Sequence, residues 1–179
     1  MSDTEQRSVE ASQITRQGAR LRVMLVEDSL VVRELLRHIV GRDPRLAVVA
    51  AVASGEEALA TIGQVRPDVV SMDIRLPGID GLETTRRIMA ERPTPIVVIA
   101  DAIEDSSLRI SMNALRAGAL SVVEKPVGLG DAAYAQVAHE IRTQLAIMSE
   151  VAVVRRRMHA ISPVPVQPPR QRGASMLLV

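Results

Sequence analysis

Four ionisable residues stand out because each closes a short apolar, largely β-branched run. Glu27-Asp28 follows Met24-Leu25-Val26, Asp73 follows Val69-Val70-Ser71-Met72, and Lys125 follows Val122-Val123-Glu124. Three carboxylates brought together repel one another unless a cation or a proton relieves the charge. With only oxygen donors at hand the fitting cation is a hard one, and Mg²⁺ suits few carboxylates because it retains waters. A carboxylate beside Mg²⁺ and an ammonium group is a feasible phosphoryl acceptor, since both cations neutralise charge on the transferring oxygens. Lys125 is the only lysine among 22 basic residues. A point-charge contact to a phosphoryl group is one physical reason for an ammonium there, where arginine would favour a bidentate grip.

For these residues to meet, the strands that carry them must share a sheet. Short β-branched runs occur at Val23–Val26, Val48–Val52, Val69–Met72, Ile96–Ile99 and Val122–Val123, each followed by a helical pattern. The first helix presents Val32, Leu35, Leu36, Ile39 and Val40 on one face, with Ser29 as N-cap and Gly41 as stop. Five strand–helix units predict an α/β fold: a (βα)5 doubly wound, parallel five-stranded sheet covered on both faces. Such sheets bind ligands at the carboxyl ends of their strands. In strand order 2-1-3-4-5, strands one and three are neighbours, so Glu27, Asp28 and Asp73 converge with Lys125 across from them. Other acids read as structural. Asp43 sits in a turn, Asp68 opens a strand, Asp80-Gly81 caps the third helix, and Glu56-Glu57 and Glu104-Asp105 begin helices. His38, His139 and His159 are scattered without ligand spacing, which argues against zinc.

Composition narrows the classes further. The chain has 179 residues, no cysteine, 47% apolar residues and a net charge of +1. Disulfides, thiolate metal sites and cysteine nucleophiles are excluded. The near-neutral charge argues against a dedicated nucleic-acid binder. The longest apolar run, Leu46 to Ala53, is too short to span a bilayer. An aspartyl phosphohydrolase would need a second acid two residues after the nucleophile, where Arg75 stands. A flavin binder would want ring-stacking residues, yet Tyr134 is the only aromatic residue. The chain divides into a tail (1–20), one folded domain (21–146), a helical extension (147–161) and a Pro/Arg-rich tail (162–179). The fifth helix is expected to run from Asp131 to about Met158, carrying an apolar stripe through Val137, Ile141, Leu145, Met148, Val151 and Val154. That stripe is a candidate surface for a second copy of the chain or for another protein.

Leu25-Val26-Glu27-Asp28-Ser29, the stretch from Asp68 to Gly81, and Glu124-Lys125-Pro126 together resemble a response-regulator receiver domain (CheY-like) over roughly residues 21–145. Within that family, Gly81-Leu82-Glu83, Arg86-Arg87-Ile88-Met89 and Pro93 to Val98 are similar to the receiver half of the chemotaxis methylesterase CheB. The resemblance implies two-component signalling: Asp73 accepts a phosphoryl group from a histidine kinase or phosphotransfer protein. It implies Mg²⁺ held by Glu27, Asp28, Asp73 and the Arg75 main-chain carbonyl, phosphoryl contact by Lys125, and a cis peptide before Pro126. Two positions depart from the family pattern. Ala100 replaces a Ser or Thr that bonds the phosphoryl group, and Val122 replaces an aromatic switch residue. The expectation is a cytoplasmic regulator, not an enzyme, acting by protein contact without an output module, DNA binding or membrane insertion. The alternatives are a receiver-fold interaction module with a weak or absent switch, or a CheB-type fragment lacking the esterase domain.

Overall fold

The computed structural model describes residues 19–101, 107–128 and 130–154, with the backbone alone for 107–111. Strands and helices alternate: β1 (Leu21–Val26), α1 (Leu30–Gly41), β2 (Leu46–Val52), α2 (Gly55–Val65), β3 (Val69–Asp73), α3 (Gly81–Glu91), β4 (Ile96–Ala100), α4 (Ser107–Ala117), β5 (Ser121–Glu124) and α5 (Asp131–Ser149). The strands form one parallel sheet in the order β2-β1-β3-β4-β5. This is the doubly wound architecture that the alternation of periods predicts.

The period of two along each strand explains why both faces are apolar. Val23 and Leu25 of β1, Val97 and Ile99 of β4, and Val123 of β5 face Leu36, Ile39 and Val40 of α1 and Val137, Ile141 and Leu145 of α5. Their neighbours Met24, Val26, Met72, Ile96 and Val98 lie on the other face with Ala58 and Ile62 of α2 and Ile88 of α3. Full burial of one such aliphatic side chain contributes about 1.5–3 kcal/mol, so two continuous clusters hold the strand ends in place.

Local chemistry sets the element boundaries. Ser29 caps α1 by accepting from the Val32 N–H, Ser54 caps α2 from Glu57, and Asp80 caps α3 from Glu83. Gly41 is the last residue of α1 and Arg42, in right-handed helical geometry, is the C-cap, so Gly41 is not the expected stop. Gly118 does end α4, at a φ of 114° that side chains rarely adopt.

The C-terminal helix is shorter than the sequence pattern suggests. It ends at Ser149, whose hydroxyl donates to the Ala146 carbonyl, and the Glu150 N–H turns back to Ile147 and Met148. Val137, Ile141 and Leu145 of the expected stripe are covered by the chain's own sheet and α1. Beyond Ser149 the β-branched run Val151, Val153, Val154 disfavours helix, and Val154 is 79% exposed, without packing to offset that preference. Residues 155–161 of the expected extension, the tails 1–18 and 162–179, Glu104-Asp105 and His159 lie outside the described residues.

Candidate functional site

Strand register assembles the site. Val26 of β1 pairs with Met72 of β3, so the next residues, Glu27 and Asp73, emerge side by side at the carboxyl ends. Glu27, Asp28 and Asp73 each offer a carboxylate oxygen within 4.8 Å of the others. Glu27 and Asp73 are buried, at 1% and 3% exposure, while Asp28 is exposed. Lys125, only 7% exposed, reaches them from the end of β5, where its N–H donates to the Ala100 carbonyl at 2.8 Å. Its Nζ donates to Asp73 Oδ2 at 2.9 Å and to Glu27 Oε1 at 3.3 Å, and lies 3.0 Å from Glu27 Oε2.

Electrostatics follow from this packing. Burial pushes the Glu27 carboxyl above the usual carboxylate range, against the pull of its Lys125 hydrogen bond. Burial draws the Lys125 ammonium down, but its hydrogen bonds to Asp73 and Glu27 outweigh that and hold the group above the ordinary lysine value. Lys125 is therefore charged throughout the physiological range.

The donor set suits a hard divalent cation. All three donors are carboxylates, and the buried Glu27 Oε2 accepts no hydrogen bond despite its closeness to the ammonium. Two buried carboxylates and an exposed third share a single ammonium, and a divalent cation would offset the negative charge that remains.

Loops on either side fix the carboxylates. Asp73 Oδ1 accepts from the Arg75 N–H at 3.2 Å, and the Arg75 guanidinium pairs with Asp101 just beyond β4. Gly81 closes the β3–α3 loop through its N–H to the Ile74 carbonyl at 2.9 Å, and a Cβ there would run into the Asp73 carbonyl oxygen. Glu56 Oε1 accepts from the Ile79 N–H at 3.0 Å, tying that loop to α2. On the β1–α1 side, Arg33 Nη1 donates to the Glu27 carbonyl at 2.6 Å and the Asp28 carbonyl at 3.1 Å.

The structure thus brings together Glu27, Asp28, Asp73 and Lys125, with Arg75 alongside. Ala100 is buried at the end of β4, and Val122 packs into the same apolar cluster. The expected cis peptide before Pro126 is not found: every peptide among the described residues is trans. The two X–Pro isomers differ by only about 0.5–1 kcal/mol, so surrounding contacts decide between them. Arg33, Glu56 and Asp101 escaped the sequence reading. Glu56 looks like an ordinary helix-opening acid, and Arg33 and Asp101 find their partners only through the fold.

The family model for the response regulator receiver domain matches residues 23–135. The chain belongs to this receiver family. It is 60% identical over 136 residues to protein-glutamate methylesterase/protein-glutamine glutaminase 2 of Paramagnetospirillum magneticum, covering 76% of this chain and 39% of that protein. A second methylesterase/glutaminase, from Syntrophus aciditrophicus, is 46% identical over 147 residues, covering 81% of this chain and 42% of the relative. The chain thus spans about two fifths of the length of these curated relatives. Among solved structures, the response regulator domain of Thermotoga maritima CheB superposes with a TM-score of 0.65 at 31% identity, covering 75% of this chain and 99% of that one. Among the described residues, no helix of this receiver is long and apolar enough to cross a membrane.

Proposed function

We propose that this receiver accepts a phosphoryl group on Asp73 from the phosphohistidine of a sensor kinase or phosphotransfer protein, with Mg²⁺ held by Glu27, Asp28, Asp73 and the Arg75 main-chain carbonyl. The observation that carries the reading is the Lys125 ammonium hydrogen-bonded to both the Asp73 and Glu27 carboxylates, with Asp28 at their side. An oxygen of the Asp73 carboxylate forms the new O–P bond as the donor's P–N bond breaks, and the released imidazole nitrogen takes a proton from solvent. Lys125 stays charged and faces the transferring oxygens, as receiver membership would require. When bound, Mg²⁺ would offset charge on the phosphoryl oxygens. The Arg75 N–H to Asp73 Oδ1 holds the carboxylate against rotation, and the Gly81 N–H to the Ile74 carbonyl closes the loop that follows it.

Ala100 has no hydroxyl and Val122 no ring, so these two side chains do not relay phosphorylation to the rest of the fold. Similarity to methylesterase/glutaminase receivers supports a second element of the reading, that the regulated output is an esterase module of that type. The test is intact-protein mass after incubation with a small phosphodonor and Mg²⁺. Wild type is expected to gain one phosphoryl group, and Asp73→Asn or added EDTA to abolish the gain. Equal labelling of wild type and Asp73→Asn would overturn the assignment.

A further inference from the structure

The first turn of a helix disfavours positive charge, because the unsatisfied N–H groups already make that end positive. In α1 that turn contains no acid, yet Arg33 stands next to it. Its position is explained by what it holds. The half-buried Arg33 directs one guanidinium nitrogen back at the β1–α1 loop, where it donates to the main-chain carbonyls of Glu27 and Asp28. These are consecutive residues, and both carry carboxylates of the three-acid cluster. The same turn is tied at its other end by the Ser29 N–H to Glu27 Oε1 at 3.3 Å and by the Ser29 hydroxyl cap on Val32. Asp28 is exposed and has no side-chain hydrogen bond among those described, so its placement depends on its backbone.

We propose that Arg33 is a positioning residue for cation binding: its clamp on the Glu27 and Asp28 carbonyls sets the main-chain geometry that aims the Asp28 carboxylate at Asp73. This rests on the reading of Glu27, Asp28 and Asp73 as the Mg²⁺ site. Groups that orient metal ligands without touching the metal are commonly worth about 10–100-fold in metal affinity. The clamp and simple charge make opposite predictions. Removing a cation beside three carboxylates should tighten Mg²⁺ binding if only Coulomb attraction matters. Removing a clamp should weaken it.

The experiment is Mg²⁺ titration by calorimetry on the full chain, comparing wild type with Arg33→Met, Arg33→Lys and Arg37→Met, beside urea unfolding of each in EDTA. Arg37 is a control because, among the described residues, its ion pair is with exposed Glu34 on the same helix. Arg33→Met is expected to raise the Mg²⁺ Kd about tenfold. Arg33→Lys, which keeps the charge and can reach one carbonyl, should recover part of that loss, and Arg37→Met should match wild type. An unchanged or lower Kd in Arg33→Met overturns the proposal, even if its urea midpoint falls. A wild type that binds no Mg²⁺ overturns the reading of the site as well. A folded Arg33→Lys with the wild-type Kd, beside an unfolded Arg33→Met, would also overturn it, since the grip on both carbonyls would then be dispensable for cation affinity.

Discussion

Removing the ammonium from the centre of the acidic cluster should destabilise the fold by an amount the geometry sets. In Lys125→Met the apolar stem is kept, but the contacts of 2.9 Å to Asp73 Oδ2 and 3.0 Å to Glu27 Oε2 are lost. Both carboxylates remain buried, with oxygens within 4.8 Å of each other. At that separation, with an effective dielectric of about 20, two like charges repel by roughly 3.5 kcal/mol. Breaking a buried ion pair on one side typically costs about 3–5 kcal/mol, which agrees. A loss of that size is a large share of the roughly 5–15 kcal/mol that holds a domain together. Urea unfolding followed by far-UV circular dichroism, in EDTA and then with excess Mg²⁺, measures it. The variant should lose about 3–5 kcal/mol in EDTA and recover more on adding Mg²⁺ than wild type gains, because the cation takes over neutralisation of the same oxygens. A loss under about 1 kcal/mol in EDTA, the size of an exposed pair, or equal gains from Mg²⁺ in both proteins, would refute the reasoning.

Three further outcomes follow from individual contacts. Gly81→Ala would drive a methyl into the Asp73 carbonyl, with the carbonyl carbon only 2.8 Å away; it should cost about 1–3 kcal/mol in urea unfolding and weaken Mg²⁺ binding, whereas Gly41→Ala, which meets nothing within 4 Å, should do neither. Asp80→Ala removes the cap on the Glu83 N–H and should lower stability by about 1 kcal/mol, read as a shift in urea midpoint at unchanged slope. Asp43 is held below the usual carboxylate range by its paired hydrogen bonds from the Arg45 side chain. Its stabilising contribution is therefore fully present above the unfolded value, about 4, and disappears as pH falls through the lower folded value. The stability gap between wild type and Asp43→Asn should close over that acid range in thermal melts, and a gap that stays constant down to the lowest pH at which the protein folds would contradict this.

Where the sequence speaks in periodicities, the elements they name are present, though the end of the last helix is not where its stripe ends. Nearly all-apolar strands alternating with helical periods identify the doubly wound sheet because both faces are covered, and the fold itself then sets Val26 opposite Met72. Glu27, Asp28, Asp73 and Lys125 are legible together: one ionisable residue after a strand reads as a turn or a cap, but four at three strand ends do not. The clamps are not legible. Arg33 and Glu56 hold backbone atoms, and backbone partners leave no trace in residue type or spacing. Helix α5 stops at Ser149, short of the expected Met158, because an apolar stripe records which residues face a core and not where that core stops. Ile141 and Leu145 are fully covered, while Val154 continues the stripe exposed. Asp101 illustrates a different gap. Nothing in its residue type or position names a partner, and only the fold brings Arg75 to it.

The central claim is that the Asp73 carboxylate itself receives the phosphoryl group. Borohydride trapping tests it most directly, because reduction of an aspartyl phosphate leaves homoserine at the modified position. After incubation with a small phosphodonor and Mg²⁺, reduction and peptide mass mapping should place homoserine at position 73, and the signal should vanish without the phosphodonor. Homoserine at position 28, or phosphorylated protein with no reducible position at all, would contradict the account.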